Sequence, residues 1–226
     1  MNNIPKDQIN LDDLKAIILD FDGVIAESVD VKTEAFKILF KQFGEAVVKK
    51  VVKHHLENGG ISRYKKIEYY YSEYVKKPLK KEELDEIANE FSKLVVEGVI
   101  KAPLVEGVLD FLERNYKKID FYVASGTPQN ELIMIIEKKN LKKYFKGVYG
   151  TPDTKPEIIK KIIEINKYPK EKILFIGDSI SDYNDALHAN IKFLGRVTAN
   201  TTYFFPKGTP VIYNFVDINS KFKILE

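Results

Sequence analysis

The chain has 226 residues, of which 44% are hydrophobic and 31% are charged, a balance typical of a soluble globular protein with one domain or one domain plus an insertion. Its 36 basic and 33 acidic residues give a net charge of +3, which is too balanced for a dedicated nucleic-acid binder. Because cysteine is absent and no apolar run reaches membrane-spanning length, we exclude disulfides and Cys-ligated zinc and expect a cytoplasmic protein with no membrane partner.

The first predicted element is a short buried strand at residues 15–20 that ends in two carboxylates. Asp20 and Asp22 stand in the run Leu-Asp-Phe-Asp-Gly-Val, directly after Ala-Ile-Ile-Leu. Positions i and i+2 of an extended segment point the same way, so both carboxylates can converge above the strand end. Two acids this close repel each other unless a cation lies between them or one is protonated. The pair marks a candidate site, although a polar turn or a helix cap would explain an isolated Asp-X-Asp equally well.

The next region, residues 30–102, contains amphipathic stretches and no convincing strand. Helical patterns cover residues 32–43, 46–56, 62–76 and 81–99, and turns at 58–60 and 77–78 separate them. We interpret the region as an all-helical cap with hinges near residues 27–28 and 102–103, able to exclude water from the acidic strand end. Helices that merely extend the main core are the alternative. The predicted division is a core of residues 1–29 and 103–226 and a cap of residues 30–102.

The remaining chain alternates short strands with single helices. Strands are predicted at residues 119–124, 147–149, 172–176, 191–194 and, weakly, 211–215, and helices at 128–139, 156–166 and about 181–189. This alternation is typical of parallel βαβ units. We therefore predict an α/β fold, a doubly wound, Rossmann-like parallel sheet that carries the inserted all-helical cap. Ligands of such sheets bind beyond the carboxyl ends of the strands.

Three further motifs follow predicted strands, at this same edge of the sheet. In Ala-Ser-Gly-Thr-Pro at 124–128, with Pro128 predicted as the first helical residue, Ser125 and the amide of Gly126 suit an anion. Lys155 lies between a candidate strand and a helix, and Asp178 and Asp182 follow another buried strand. Carboxylate oxygens are ligands that Mg²⁺ prefers. Each motif alone is more often a cap or a solvated charge, but recurrence at four strand ends indicates one site.

Together these motifs resemble those of the haloacid-dehalogenase-like hydrolase superfamily, in particular its helical-cap phosphatases and β-phosphoglucomutase-like group. The resemblance covers nearly the whole chain and implies that Asp20 is a nucleophile that forms an aspartyl-phosphate. It implies that Asp22 protonates the leaving oxygen and then, as a base, activates water. It further implies Mg²⁺ held by Asp20, the Asp22 backbone carbonyl and Asp178, a phosphoryl site of Ser125, Gly126 and Lys155, and an Asp182 that orients the metal's waters or Lys155.

Two positions bear on the reaction. An acid at Asp22 favours the phosphatase and phosphomutase branches, because the dehalogenase and phosphonatase branches lack it. The segment Gly-Ile-Ser-Arg at 60–63 resembles one that presents an arginine to a second phosphate in sugar phosphomutases, so Arg63 is a candidate cap ligand; a helix N-cap followed by a solvated charge is the alternative. Many of those mutases have a histidine ten residues after the acid–base aspartate, where this chain has Lys32.

We therefore predict a Mg²⁺-dependent phosphatase for a small phosphorylated metabolite, such as phosphoglycolate or a sugar phosphate. It is expected to be a monomer or a weak homodimer with no nucleic-acid partner. A sugar phosphomutase of the β-phosphoglucomutase type is the first alternative. A non-catalytic phospholigand-binding protein on the same fold is the second, but such a module has no need for Asp22.

Overall fold

The strands of the computed structural model form one sheet, and the described residues are 9–198, 205–216 and 218, with the backbone of 223–224. In chain order the strands are β1 (Ala16–Leu19), β2 (Asp120–Pro128), β3 (Phe145–Thr151), β4 (Ile173–Gly177), β5 (Lys192–Arg196), β6 (Pro210–Ile212) and β7 (Lys223–Ile224). Their order across the sheet is β3-β2-β1-β4-β5-β6-β7. Every neighbouring pair is parallel except β6 and β7. The predicted doubly wound parallel sheet is confirmed.

The helices fall into two groups along the chain. They are α1 (Val29–Phe40), α2 (Glu45–Glu57), α3 (Arg63–Tyr70), α4 (Lys81–Lys101), α5 (Val108–Asn115), α6 (Gln129–Lys138), α7 (Lys155–Asn166) and α8 (Ile180–Ala189). The first four follow one another with no strand between them, whereas the last four alternate with the strands of the sheet. The helical character predicted for the inserted region agrees with this order, and the exact division into domains stays a prediction. No helix among the described residues combines the length and the apolarity needed to cross a bilayer.

Two local predictions were wrong, and one helix was not predicted. The helix expected to run through residues 62–76 ends as an α-helix at Tyr70 and continues as a π-helical turn, Tyr71–Val75. Pro128 is not the first helical residue: it is the last residue of β2 and caps α6 with extended backbone angles. Helix α5, which the sequence analysis did not predict, lies directly before β2.

Alternation along β1 directs its four buried side chains to two separate hydrophobic layers. Ile17 and Leu19 join a cluster that includes α5, α6 and the inserted helices, while Ala16 and Ile18 join a cluster with α7 and α8. Burial of each large aliphatic side chain contributes about 1.5–3 kcal/mol relative to its exposure. Because helices cover both faces, the only open borders of β1 are its ends, and its carboxyl end leads into Asp20.

The two connections between the sheet and the inserted helices lie side by side. The amide of Glu27 donates to the carbonyl of Pro103 at 2.9 Å, and the amide of Val105 donates to the carbonyl of Ile25 at 3.0 Å. These contacts fix the start of α1 relative to the end of α4. The loop after β1 is therefore held at the point where the inserted helices meet the sheet.

Strand order also determines where the site lies. The chain runs from β1 outward through β2 and β3, and then returns to place β4 on the other side of β1. Ligands of open α/β sheets bind at such a reversal of strand order. Asp20 follows β1 and Asp178 follows β4, so the reversal brings these two acids to adjacent strand ends.

Candidate active site

Three carboxylates converge at the reversal of strand order. Asp20, Asp178 and Asp182 each offer an oxygen atom within 4.8 Å of the others. The amide of Asp20 donates to the carbonyl of Ile176 in β4 at 3.0 Å, which ties the end of β1 to β4, and the amide of Phe21 donates to Asp20 Oδ1 at 2.6 Å. Asp182 lies in the first turn of α8, where Ser179 Oγ donates to its Oδ2 at 2.7 Å.

Lys155, the first residue of α7, neutralises part of this negative charge. Its Nζ lies 2.8 Å from Asp20 Oδ2 and also donates to Asp182 Oδ1. All three side chains are almost fully buried, at 4% exposure or less. Burial alone would lower the pKa of Lys155, but the Asp182 and Asp20 carboxylates raise it above its usual value. Burial raises the pKa of Asp20 to about 6 despite the attraction of Lys155.

Asp22 has its own, separate set of partners. Ser28 Oγ donates to Asp22 Oδ1 at 2.6 Å, and Lys32 Nζ donates to Oδ2. Lys32 Nζ also donates to Thr127 Oγ1 at 2.9 Å, which links the start of α1 to the end of β2. Burial on its own would raise the pKa of Asp22, but the charge of Lys32 and the hydrogen bonds from Lys32 and Ser28 together lower it. The two acids of the motif therefore differ in their electrostatic environments.

The loop that follows Asp22 passes unusually close to Asp178. Gly23 has a φ of +77°, and a Cβ at this position would lie 2.1 Å from Asp178 Oδ2, so only glycine fits. Arg196 at the end of β5 holds the far side of the loop: its guanidinium contacts both oxygens of Glu27 and donates to the carbonyl of Gly23 at 3.2 Å. This clamp fixes the direction in which the loop leaves β1.

The predicted phosphoryl-binding residues lie at the same edge of the sheet, beneath the turn between α2 and α3. Ser125 is buried, and its Oγ accepts from the amide of Thr127 at 3.1 Å. A Cβ on Gly126 would lie 2.6 Å from the carbonyl oxygen of Gly60. A Cβ on Gly60, which has a φ of +74°, would lie 2.6 Å from Lys155 Nζ. The glycines of this turn allow the inserted helices to close directly onto Gly126 and Lys155.

Arg63 has a carboxylate partner from the core. Its two terminal nitrogens bind the two oxygens of Glu131 in α6 at 3.1 and 2.7 Å. Ser92 Oγ donates to the same carboxylate at 2.6 Å, and the guanidinium stacks 4.8 Å from the ring centroid of Phe91. Arg63 is therefore a buried bridge between α3 and α6 and not a solvated charge. It also borders the cavity that contains Asp20, so its role as a phosphate ligand stays a prediction.

The acid cluster fits a magnesium ion. Asp178 Oδ1 is buried and has no hydrogen-bond partner among the described residues. Burial and the nearby Asp20 carboxylate raise the pKa of Asp178 well above its usual value, so a cation at this position would remove an unfavourable interaction. Lys155 already binds both Asp182 and Asp20, whereas Asp178 Oδ1 is free, so Asp178 provides the open ligand and Asp20 lies beside it. Two carboxylates with hard oxygen donors are a typical protein contribution to a Mg²⁺ site.

Sequence reasoning gave Lys32, Ser28 and Glu131 no role in the site. Lys32 and Ser28 lie four residues apart at the start of α1 and so share one helix face, a spacing that places both beside the acidic loop. That spacing was a usable signal once α1 was predicted. Glu131 offered none, because it lies 68 residues from Arg63 in the chain.

Comparison with known proteins agrees with the fold and the motifs. The haloacid dehalogenase-like hydrolase family matches residues 17–196. A phosphorylated carbohydrates phosphatase from Thermotoga maritima is 26% identical over 190 residues, covering 79% of this chain and 83% of the relative. A β-phosphoglucomutase from Clostridium difficile has a TM-score of 0.72 at 18% identity, covering 89% of this chain and 92% of its own. A Bacillus subtilis HAD hydrolase bound to magnesium has a TM-score of 0.65 at 16% identity, with 91% and 96% covered.

Both crystal structures are below 25% identity and therefore support the fold alone, whereas the family match covers the residues of all four motifs. That match begins within β1 and ends at the last residue of β5, so it includes every carboxylate and lysine of the acid cluster. Because it spans well over half of the chain, the protein belongs to the haloacid dehalogenase-like hydrolase family and is one of its enzymes.

Proposed function

We propose that the protein is a Mg²⁺-dependent phosphatase that hydrolyses a small phosphorylated metabolite through an aspartyl-phosphate on Asp20. The supporting observation is the contrast between the two acids of the motif. Asp20 belongs to the carboxylate cluster with Lys155, whereas Asp22 lies apart, with Ser28 and Lys32 as partners. The name of the Thermotoga maritima relative, a phosphatase of phosphorylated carbohydrates, is consistent with this substrate class.

In this proposal a carboxylate oxygen of Asp20 bonds to phosphorus while the bond from phosphorus to the leaving oxygen breaks. Asp22 gives its proton to that oxygen and then takes a proton from the water that attacks the aspartyl-phosphate, so inorganic phosphate leaves and Asp20 is regenerated. Splitting the displacement in two replaces one difficult step with two easier ones. Lys155 and the amide of Gly126 bind the transferring phosphoryl group. Mg²⁺, when held by Asp20, Asp178 and the backbone carbonyl of Asp22, would supply further charge stabilisation.

The size of the rate acceleration requires both the general acid–base Asp22 and the charged groups around Asp20. Acceleration of phosphate monoester hydrolysis reaches about 10²¹-fold, or roughly 28 kcal/mol, of which one general acid–base contributes only about 10²–10⁴. Fixed charges and amides must supply much of the remainder. Ser28 and Lys32 orient Asp22 and lower its pKa, so its ionised form can accept a proton from water, and its protonated form is a stronger acid toward the leaving oxygen.

The first test concerns the metal. We expect Asp178→Ala to lower Mg²⁺-dependent phosphate release at least about 10³-fold, since it removes an open ligand and much of the electrostatic stabilisation. EDTA should silence the wild type, and added Mg²⁺ should restore it. Asp153→Ala, at a half-exposed aspartate after β3, is the matched control and should retain activity. Full wild-type activity in chelator would contradict the proposal.

The second test separates a phosphatase from a phosphomutase. A mutase needs a second phosphate site opposite Asp20, and Arg63, its candidate ligand, is engaged by Glu131. We therefore expect Arg63→Ala to change KM more than kcat, with phosphate release retained. Phosphorus NMR of a sugar 1-phosphate should show inorganic phosphate as the product in both wild type and variant. Accumulation of the 6-phosphate with little free phosphate would instead support the mutase.

Two further properties stay predictions from the sequence. They are a cytoplasmic location, which the absence of cysteine favours, and a monomeric or weakly dimeric state.

A further inference from the structure

Lys66 in α3 is a buried cation for which the described residues provide no carboxylate partner. Its side chain is 3% exposed, and its Nζ contacts only His55, at 2.9 Å from Nδ1 and 3.4 Å from the backbone carbonyl. It borders the same cavity as Asp20 and Asp178. The other cations here have acids: Lys32 binds Asp22, Arg63 binds Glu131 and Lys155 binds Asp20.

An unpaired ammonium in such a place is unfavourable, and the pKa of Lys66 reflects this. Burial, reinforced by the positive charge of Lys32, lowers the pKa of Lys66 to about 7, and the Asp178 and Asp22 charges only partly oppose the shift. An arriving anion would reverse the effect, because it would stabilise the charged form of the lysine. A buried polar group left without its counterpart is a common sign of a ligand that binds there.

His55 provides a second donor beside Lys66. Burial lowers the pKa of His55 to about 2, so the imidazole is neutral. With Nδ1 accepting from Lys66, the proton is assigned to Nε2, which has no hydrogen-bond partner among the described residues. The backbone of Val29 lies near enough to raise the pKa of His55 as a hydrogen-bond acceptor, an effect smaller than the lowering by burial, but its contact with Nε2 does not have the geometry of a full hydrogen bond. His55 also borders the cavity, so both residues line the substrate space with polar groups.

We propose that Lys66 and His55 form a subsite for a second anionic group of the substrate, remote from the phosphoryl group bound at Asp20. This inference rests on the proposed phosphatase function and narrows its substrate class to short phosphate monoesters that carry a carboxylate or a second phosphate. The cavity is partly open to solvent and has a volume of about 70 Å³, below the roughly 300–1,000 Å³ of typical ligand pockets, which suits a short substrate.

Three phosphate monoesters of matched length test the subsite. They are 2-phosphoglycolate, 2-hydroxyethyl phosphate and O-phosphoethanolamine, whose far ends are negative, neutral and positive; ethylene glycol bisphosphate supplies the second-phosphate arm. We expect the wild type to prefer the two substrates with anionic ends. Lys66→Met should lower kcat/KM for phosphoglycolate about 100-fold and for the neutral ester less than tenfold. The readout is the ratio of the two kcat/KM values measured on the same preparation. Because both values scale with the fraction of folded enzyme, incomplete folding of a variant does not change the ratio.

Control variants distinguish a substrate-binding role of Lys66 from a purely structural one. Lys65→Met, on the exposed side of the same helix, should leave both substrates unaffected. Lys66→Met should melt at or above the wild-type temperature, because it removes a buried charge without an acid partner; Lys66→Gln is the second variant. The inference would be overturned if the ratio of kcat/KM for phosphoglycolate to kcat/KM for the neutral ester stayed within twofold of wild type in both Lys66 variants. It would also be overturned if the wild type and both Lys66 variants all preferred the bisphosphate or the neutral ester.

A binding measurement keeps this inference distinct from the proposed function. Calorimetry of phosphoglycolate in the Asp20→Asn background should show Kd rising at least tenfold when Lys66→Met is added. If the wild type releases phosphate from none of the four esters but binding still depends on Lys66, the phosphatase proposal fails and the subsite stands. If phosphate is released but neither binding nor the ratio depends on Lys66, the phosphatase stands and the subsite is wrong.

Discussion

Asp20→Asn should abolish phosphate release, by at least about 10⁴-fold, because an amide cannot form the acyl-phosphate that carries the reaction. Phosphate release in saturating Mg²⁺ measures the loss. Trapping with beryllium fluoride should locate the adduct on Asp20 in the wild type and find none in the variant. Asp12→Asn, at an exposed aspartate in the turn before β1, is the matched control and should remain fully active. Normal turnover by Asp20→Asn, or an adduct on another residue, would rule out the mechanism.

The same variant should not unfold the protein. Burial raises the pKa of Asp20 to about 6 in the folded state, above its ordinary value of 3.8, so the folded state holds the proton more tightly than the unfolded state. The resulting cost is absent below pH 3.8 and fully present above pH 6. In EDTA at pH 7 the neutral asparagine removes that cost, while Lys155 keeps Asp182 as its partner. We expect a melting temperature equal to or above that of the wild type, which a thermal scan in chelator measures.

Local patterns predicted the sheet and the acids at its edge. The apolar runs of β1 and β4 and the motifs that follow them lie within a few residues of each other, so the sequence carries the information directly. Asp20, Asp178, Asp182 and Lys155 are brought together because parallel strands and their following helices start from the same edge. Helix α5 was missed because it has only eight residues, too short for a clear 3.6-residue periodicity.

Contacts between residues that lie far apart in the chain could not be predicted from the sequence. Whether Arg63 faces a ligand or a protein carboxylate depends on where α6 lies against α3, and nothing near Arg63 encodes Glu131. Pro128 illustrates the same limit at the backbone level. Its cyclic side chain suits a first helical position, but β2 continues to pair with β3 at Thr151, and this pairing keeps Pro128 extended. Tertiary contacts decided both cases.

Lys155→Met should both inactivate and destabilise the protein. The substitution leaves Asp20 and Asp182 buried without their cation, and breaking one side of a buried ion pair costs about 3–5 kcal/mol. It also removes a ligand of the transferring phosphoryl group, so phosphate release should fall at least about 10³-fold. Urea unfolding in EDTA measures the first effect. Lys161→Met, whose half-exposed amine lies 3.8 Å from Asp153, is the control and should cost less than about 1 kcal/mol.

A double variant separates the two roles of Lys155. Adding Asp182→Asn to Lys155→Met removes one of the two uncompensated carboxylates, and the amide oxygen can still accept from Ser179, as Asp182 Oδ2 does. We therefore expect most of the lost free energy of unfolding to return in the same EDTA buffer, because the remaining Asp20 can be neutralised by a proton. Phosphate release should stay at the level of the single variant, since neither substitution replaces the ammonium. Recovery of activity together with stability would show that Lys155 only balances the charge of Asp182, and would remove it from the phosphoryl site.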